Sequence, residues 1–166
     1  VLVADPPWQF GDKLPGPGRG AEKHYACMPA YEIGGFELPP IADDALLFLW
    51  RVAAMQNEAL AVAEHWGFTI KAELIWRKVG ANGAPRIGMG RYVRNAHETC
   101  LIGARGKAAK LIQHHGVPSV FDAPRGQHSA KPDAFYDIVE KLAPGPYVEL
   151  FARRQRAGWT CLGNEV

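Results

Sequence analysis

At 166 residues the chain has the size of one domain and is long enough to bury a substantial core. Its composition, 48% hydrophobic and 22% charged, excludes a disordered chain, and no apolar run reaches the roughly 18 residues that a membrane-spanning helix needs. The net charge of +2 is too small to indicate a nucleic-acid partner by itself.

Strand and helix signals alternate along the chain. Apolar runs predict strands at residues 1–4, 45–52, 68–78, 96–103, 147–152 and 159–162. Helices are expected at 53–66, which ends at a glycine, and from the segment 129–132 to Pro144-Gly145. Glycine-rich loops occupy 11–30 and 80–91. This order predicts a mostly parallel α/β sheet, in which ligands bind at the carboxyl ends of strands.

Cysteine and histidine usage argues against disulfides and metal sites. The three cysteines are far apart, and the chain contains neither a CxxC nor an HExxH pattern. We therefore expect reduced thiols, a cytoplasmic protein and no metal. Without repeats or linkers, residues 1–166 are predicted to form a single domain. Because the chain begins inside a strand and without Met, we expect that some N-terminal residues are missing.

The first predicted strand runs directly into Asp5-Pro6-Pro7-Trp8. Each proline fixes its own φ and keeps the preceding residue extended, so the carbonyl groups of this turn are held rigid. An amino group on a flat ring could donate one N–H to the Asp5 carboxylate and one to the Pro6 carbonyl. Trp8 could stack on the same ring, which is worth about 1–3 kcal/mol. The motif therefore favours a site for an exocyclic amine on a planar base, although Asp-Pro-Pro is also ordinary turn chemistry.

Basic residues add a second signal. Lys131 lies at a predicted helix start, where a cation opposes the helix dipole and needs an anion: a cofactor carboxylate, a phosphate or Asp5. Two clusters could follow a phosphate backbone or simply form a solvated surface. The clusters are Arg86, Arg91, Arg94, Arg105, Lys107 and Lys110, and then Arg153, Arg154 and Arg156.

Seven sequence blocks extend over nearly the whole chain. They are ADPPW at 4–8, LLFLW at 46–50, ELIWRK at 73–78, NAHETCLIGARG at 95–106, HSAKPDAFY at 128–136, VELFAR at 148–153 and GWTCLGNE at 158–165. In this order they resemble the adenine-N6 methyltransferase family that includes the catalytic subunit of the eukaryotic messenger-RNA adenosine methylase and bacterial and phage relatives. The resemblance implies a Rossmann-like methyltransferase fold with helices on both faces of the sheet. It also implies S-adenosylmethionine as cofactor and a permuted order, with the catalytic motif before the cofactor motif.

The resemblance also implies roles for individual residues. The catalytic motif is Asp5, Pro6, Pro7 and Trp8. The residues implied for the acceptor are Tyr25, Arg94, Asn95, Glu98 and Lys131. The residues implied for S-adenosylmethionine are Asp5, Lys131, Glu149, Phe151, Arg153, Asn164 and Glu165. Two departures put cofactor affinity in question: residues 154–156 read Arg-Gln-Arg instead of the eukaryotic Pro-His-Asn, and the family segment upstream of the DPPW strand is absent.

The expected reaction is methyl transfer to N6 of adenine in nucleic acid. The short loops and compact length resemble bacterial or phage members, which favours DNA over RNA. Two alternatives stay open: a catalytically inactive nucleic-acid-binding partner subunit, and methylation of another exocyclic amine such as cytosine N4. Retention of Asp5, Trp8, Lys131 and Asn164 favours the enzyme. A homodimer, or a heterodimer with a related subunit, is also left open, and no membrane partner is expected.

Overall fold

A seven-stranded sheet forms the centre of the computed structural model, which describes residues 1–9, 27–88, 90, 92–126, 130–164 and 166. The strands are β1 (Leu2–Ala4), β2 (Ala45–Arg51), β3 (Thr69–Val79), β4 (His97–Arg105), β5 (Val120–Pro124), β6 (Tyr147–Leu150) and β7 (Trp159–Leu162). Their order is β5-β3-β4-β2-β1-β6-β7. Among these described strands, only the pairs that β4 makes with β2 and β3 are antiparallel. The predicted mostly parallel sheet is therefore confirmed.

Helices cover both faces of this sheet. The helices α1 (Ala30–Gly34) and α2 (Gln56–His65) pack against one face, and α3 (Asp133–Leu142) packs against the other. Short 3₁₀ turns precede α2, at Ala53–Met55, and follow β4, at Ala108–Leu111. The arrangement is the Rossmann-like fold expected from the sequence.

The strand β2 shows how one apolar run serves two cores. Successive side chains of a strand point to opposite faces, so a strand that is covered on both sides is apolar throughout. Leu47 and Leu49 belong to the core beneath α1 and α2, whereas Phe48 and Trp50 belong to the core beneath α3. Six of the seven residues of β2 are buried, which leaves Arg51 at its end as the exception.

The predicted helices form with small changes in their ends. The helix expected at 53–66 is a 3₁₀ turn followed by α2, and Gly67 follows it with φ +81°, the left-handed conformation that glycine adopts most readily. The later helix begins at Asp133, with Pro132 before it. Ser129 lies outside the described residues. The structure adds α1 and β5, which the sequence analysis did not predict.

The strand β1 lies where the strand order reverses, because its neighbours are β2 on one side and β6 on the other. In open α/β sheets, ligands bind in the crevice outside the carboxyl ends of the strands at such a position. Since β4 is antiparallel to β2, its first residues lie at this same edge. The segments that follow β1, β2 and β6 therefore meet the beginning of β4 at one place.

In the described part of the chain, no helix combines the length and the apolar composition needed to cross a bilayer.

Candidate active site

A cavity of about 290 Å³ opens at this edge of the sheet, between the ends of β1 and β2 and the beginning of β4. Asp5, Glu98 and Lys131 are among its lining residues. A crevice of about 20 Å³ adjoins it on the side of β6 and is lined by Glu149 and Phe151. The cavity and the crevice share Asp5, Lys131 and Arg153. Residues from separate predicted blocks of the sequence thus converge on two adjoining spaces.

Four charged side chains form a chain of ion pairs across the cavity. The Lys131 ammonium donates to Asp5 Oδ2 at 2.7 Å and lies 3.3 Å from Glu98 Oε2. The other Glu98 oxygen, Oε1, lies 2.6 Å from the Lys78 ammonium. Only 7% of the Lys131 side chain is exposed, so water screens its two ion pairs poorly. Asp5 and Glu98 are therefore the anions that balance this lysine, as the sequence analysis had anticipated for Asp5.

Burial and charge act in opposite directions on this cluster. Burial alone would lower the pKa of Lys131, but the carboxylates of Asp5 and Glu98 outweigh it and raise the pKa above its ordinary value. Burial would likewise raise the pKa of Glu98, but Lys131 and Lys78 together lower it. Both groups are consequently held in their charged forms near neutral pH.

The Lys131 ammonium is also held by an aromatic ring. It lies 4.9 Å from the centroid of the buried Trp50 ring, which is a cation–π distance. Trp50 in turn packs edge-on against Trp76 and Phe135. Lys131 precedes α3, so the core beneath that helix fixes both the lysine and the aromatic surface under it.

The turn after β1 is tied down by its backbone. The Trp8 N–H donates to the Pro6 carbonyl at 2.9 Å, and the Met28 N–H donates to the Pro7 carbonyl at 2.7 Å. The Gln9 N–H returns a bond to the Met28 carbonyl at 2.9 Å. The Pro6 carbonyl keeps a second lone pair, because a carbonyl oxygen has two. Hydrogen bonds thus hold the carbonyl groups of Pro6 and Pro7 in place, and the Pro6 carbonyl can accept one further hydrogen bond.

The base stacking predicted for Trp8 stays a prediction, because the side chain lies between the core and the cavity. Trp8 is only 3% exposed and belongs to the core beneath α1 and α2, and it also lines the cavity. Its indole N–H donates to the Trp50 carbonyl at 2.9 Å, which links the turn after β1 to the end of β2. The core covers most of the ring. The observed contacts make Trp8 an anchor for the turn that carries Asp5.

Replacing Trp8 with phenylalanine is expected to lower the free energy of unfolding by about 1–3 kcal/mol, because the buried Trp50 carbonyl loses its partner. The Michaelis constant for an acceptor that carries a planar base is expected to change less than threefold. Thermal or urea unfolding, followed by circular dichroism, measures the first effect, and steady-state kinetics measures the second. A stacking role would produce the reverse pattern, with a large rise in the Michaelis constant and an unchanged stability.

A second buried polar pair lines the crevice. The Tyr136 hydroxyl on α3 donates to Glu149 Oε1 on β6 at 2.7 Å, and both residues are at most 5% exposed. Burial raises the pKa of both groups above their ordinary values. Phe151 follows with φ +59°, an uncommon conformation for a residue with a side chain, and its ring lies 5.0 Å from that of Phe36. The end of β6 is therefore shaped by specific contacts next to the crevice.

The other residues implied by the resemblance are placed differently. Asn95 lines the cavity, but Arg94 is exposed and its guanidinium Nε donates to the Gly88 carbonyl. Asn164 is exposed and lines neither the cavity nor the crevice. Tyr25 and Glu165 lie outside the described residues.

The second basic cluster does not present all its arginines to a phosphate backbone. Arg154 pairs with Asp133, and Arg156 lies within 3.3 Å of Asp133, Asp137 and Glu140 on α3. Both guanidinium groups also lie over the Tyr136 ring, Arg156 at 4.7 Å and Arg154 at 5.5 Å. The segment Arg154-Gln155-Arg156 is thus fastened to α3.

Replacing Arg156 with methionine is expected to lower the free energy of unfolding by about 1–2 kcal/mol, because one guanidinium serves three carboxylates and a ring. The carboxylates are 38–70% exposed, which keeps the effect small. Arg154→Met, with one acidic partner on a more exposed side chain, is the matched control and should cost less than about 0.5 kcal/mol. Urea unfolding at low and high salt separates the two. Equal losses in both variants would argue against this role of Arg156.

Arg51, Lys78 and Tyr136 are among the site residues that the sequence analysis missed. Arg51 and Lys78 line the cavity, and Tyr136 lines the crevice. Arg51 ends an apolar strand, where a lone cation is unexpected and could have served as a signal. Lys78 follows Arg77 in a strand of mixed polarity, which gives no such signal. Tyr136 lies on the apolar side of α3 and looks like an ordinary core residue.

Known proteins resemble the chain over its whole length. The MT-A70 family model matches residues 1–165. The Type II methyltransferase M.MunI of Mycoplasma sp is 30% identical over 185 residues, which cover 100% of this chain and 77% of that protein. The N(6)-adenosine-methyltransferase catalytic subunit METTL3 of Homo sapiens is 30% identical over 173 residues, covering 100% of this chain and 28% of that protein. The MT-A70-like N(6)-adenosine-methyltransferase of Drosophila melanogaster is 32% identical, with 26% of its length covered.

The two kinds of relative differ in how much of them the chain spans. It covers most of the bacterial protein but only about a quarter of these two animal proteins. The match to the family model includes the turn after β1, the beginning of β4 and the end of β6, which are the segments that form the cavity and the crevice. The chain therefore belongs to the MT-A70 family.

Proposed function

We propose that this protein transfers a methyl group from S-adenosylmethionine to N6 of adenine in nucleic acid, with DNA preferred over RNA. The observation that carries the proposal is the Asp5 carboxylate, fixed by buried Lys131 at the point where the strand order reverses. The likeness to M.MunI, a Type II methyltransferase that is mostly covered by this chain, supports methyl transfer. The preference for DNA rests on the short loops and compact length, which resemble bacterial and phage members of the family. Residues 1–166 are proposed to act as one domain in the cytoplasm.

The geometry of the turn suits an exocyclic amine. Lys131 contacts Asp5 Oδ2, so Oδ1 can accept one N–H of the amine while the second lone pair of the Pro6 carbonyl accepts the other. Both acceptors draw the nitrogen lone pair out of the ring system and stabilise the positive charge that develops on it. Because Lys131 and the two prolines hold the acceptors in place, little reorganisation is needed during the reaction.

The crevice has the chemistry that S-adenosylmethionine requires. Glu149 can face a cationic ammonium, Arg153 and Lys131 can face a carboxylate, and Phe151 offers an apolar wall. At about 20 Å³ the crevice holds only a small group, so it suits the charged end of the methionine moiety rather than a nucleoside. When bound, the cofactor supplies an electrophilic methyl group on a sulfonium. Because Asp5 lines the crevice as well as the cavity, a cofactor held there would supply its methyl group close to the proposed acceptors of the amine.

The larger cavity is left for the acceptor base. It extends from Asp5 toward Asn95, His97 and Glu98, away from the crevice. Its position at the open edge of the sheet requires a base in a duplex to leave the stack, which costs a few kcal/mol. A second copy of the chain, or a related subunit, is proposed to supply nucleic-acid contacts beyond this cavity.

The decisive experiment is transfer of labelled methyl from S-adenosylmethionine to oligonucleotides. Matched DNA and RNA oligonucleotides of mixed sequence are compared with versions that lack adenine or lack cytosine, and the product base is identified by mass spectrometry. The proposal expects N6-methyladenine, formed faster in DNA. Product at cytosine N4 would support a different amine acceptor. Binding of oligonucleotides without cofactor binding or transfer would instead support an inactive partner subunit.

A further inference from the structure

The wall of the cavity contains a cation that the proposed methyl transfer does not use. Arg51 is the last residue of β2, and only 15% of its side chain is exposed. Its guanidinium lies 3.9 Å from Glu73 Oε2, at the limit of an ion pair, and the Glu73 side chain is 50% exposed. Arg51 is therefore largely buried with a weak, solvated counterion.

The hydrogen-bond donors of Arg51 are not used up by the fold. Its Nε is buried and has no hydrogen-bond partner among the described residues. A guanidinium has five N–H donors, and burying such donors without acceptors is unfavourable. Since Arg51 also lines the cavity, an anion that enters there would meet unsatisfied donors on a preformed wall.

The position of Arg51 shows which ligand this anion belongs to. In the sheet, Ala4 pairs with Leu49 and Thr99 pairs with Arg51, so Arg51 lies on the β4 side of Asp5. The crevice that suits the cofactor lies on the opposite side, against β6. An anion bound by Arg51 would therefore lie on the side of the cavity that is left for the methyl acceptor.

The charge of the cavity also favours an anion. Besides His97, four cationic side chains and two carboxylates line it. Lys131 lies between both carboxylates, and Lys78 pairs with one of them. Arg51 has neither of these carboxylates as a partner, so its charge is more available to a ligand than the charges of Lys131 and Lys78.

We propose that Arg51 binds a backbone phosphate adjoining the target nucleotide, which extends the proposed function to the substrate's backbone and rests on it. A guanidinium matches two phosphate oxygens with parallel N–H donors, and this geometry also orients what it binds. An adenine that reaches Asp5 brings its sugar and phosphate with it, and these must lie along the wall toward β4. Arg51 thus sets the register of the nucleotide, while the turn after β1 holds the amine.

The test combines three variants with a neutral phosphate. Arg51→Gln removes the charge, Arg51→Lys keeps it without the bidentate geometry, and Glu73→Gln removes only the counterion. A fluorescein-labelled DNA oligonucleotide with one adenine is prepared with normal phosphates and with a methylphosphonate on either side of that adenine. Binding is followed by fluorescence anisotropy over a range of salt, kcat/KM by methyl transfer, and folding by thermal unfolding.

With normal phosphates, Arg51→Gln is expected to weaken binding and lower kcat/KM about tenfold or more, and Arg51→Lys less. The salt dependence of binding should fall by about one phosphate contact. With the methylphosphonate at the contacted position, wild type and Arg51→Gln should become equal. Glu73→Gln should bind as tightly as wild type or more tightly, because it frees the guanidinium.

Two results would overturn the phosphate contact. One is an equal loss for Arg51→Gln on normal and on both methylphosphonate oligonucleotides, and the other is an equal loss for Glu73→Gln and Arg51→Gln, which would indicate a purely structural ion pair. Failure of the proposed function is distinguishable from either, because wild type would then bind the oligonucleotide with the expected salt dependence but transfer no methyl. A wild type that does not bind the oligonucleotide would overturn both.

Discussion

Replacing Lys131 with methionine is expected to lower the rate of methyl transfer about 100-fold or more and the free energy of unfolding by about 2–4 kcal/mol. Removing one partner of a buried ion pair leaves the other charge uncompensated. Here Asp5 and Glu98 both lose their shared cation, and Glu98 keeps only its ion pair with Lys78. Asp5 also loses the contact that orients it toward the amine, and single groups of this kind are worth about 100- to 1000-fold in rate.

The pKa values of Glu98 and Lys131 predict how the stability of the wild-type protein changes with pH. In wild type the pKa of Glu98 is below its ordinary 4.5, so its stabilising effect is present above that value and is lost as the pH falls through the lowered pKa. The pKa of Lys131 is above its ordinary 10.5, so its contribution is complete below that value and is lost only as the pH rises through the raised pKa. Wild type is therefore expected to be most stable between these limits.

In the Lys131→Met variant, the change of stability at acid pH is expected to have the opposite direction. Without the Lys131 ammonium, the burial of Glu98 is opposed by Lys78 alone, so the pKa of Glu98 is expected to rise above its ordinary value, and the folded protein then binds a proton that the unfolded chain has released. The variant should then become more stable as the pH falls from 7 to 5. Urea unfolding across this range measures the effect.

The double variant Lys131→Met/Glu98→Gln separates stability from catalysis. With one carboxylate removed, the stability should return to within about 1 kcal/mol of wild type, whereas the rate should stay low because Asp5 is still not oriented. If Lys131→Met were as stable as wild type at pH 7 with an unchanged pH profile, Lys131 would not be the cation that balances the cavity.

Much of this site could be predicted because it depends on short segments of the sequence. The apolar run of β1 and the two prolines after it place a carboxylate and rigid carbonyl groups at a strand end, whatever the rest of the chain does. Lys131 could be expected near an anion because a cation at a helix start is unfavourable. The parallel arrangement then brings the ends of β1 and β6 to one edge, which is why Asp5 and Glu149 both reach the crevice.

Contacts between distant segments were the part that could not be predicted. Nothing in Asp5-Pro6-Pro7-Trp8 shows whether the indole faces a ligand or the core, since this depends on the Trp50 carbonyl, which is 42 residues away. The pairing of Arg156 with α3 is likewise a matter of tertiary packing. The helix α1 has only five residues, too few for a periodic signal, and β5 is a short edge strand that is mostly exposed and ends in proline.

Replacing Asp5 with asparagine is expected to lower kcat about 1000-fold or more, with little change in fold. The amide has the shape of the carboxylate but not its charge, so it cannot stabilise the positive charge that develops on the attacking nitrogen. Lys131 keeps Glu98 as a partner at 3.3 Å, which limits the loss of stability to about 1–2 kcal/mol. Because the contact matters most in the transition state, oligonucleotide affinity should change only a few-fold.

The comparison with Glu98→Gln decides what the Asp5 effect means. Both substitutions remove one carboxylate from Lys131, but only Asp5 lies in the turn with the Pro6 carbonyl. Single-turnover rates, with binding measured by anisotropy and folding by thermal unfolding, should show a much larger rate loss for Asp5→Asn. Asp122→Asn serves as a control. This carboxylate lies on the edge strand β5 and pairs with Arg77 of β3, so it takes no part in the Lys131 cluster. Equal rate losses for Asp5→Asn and Glu98→Gln would show that both act only by balancing Lys131, and direct contact between Asp5 and the amine would be excluded.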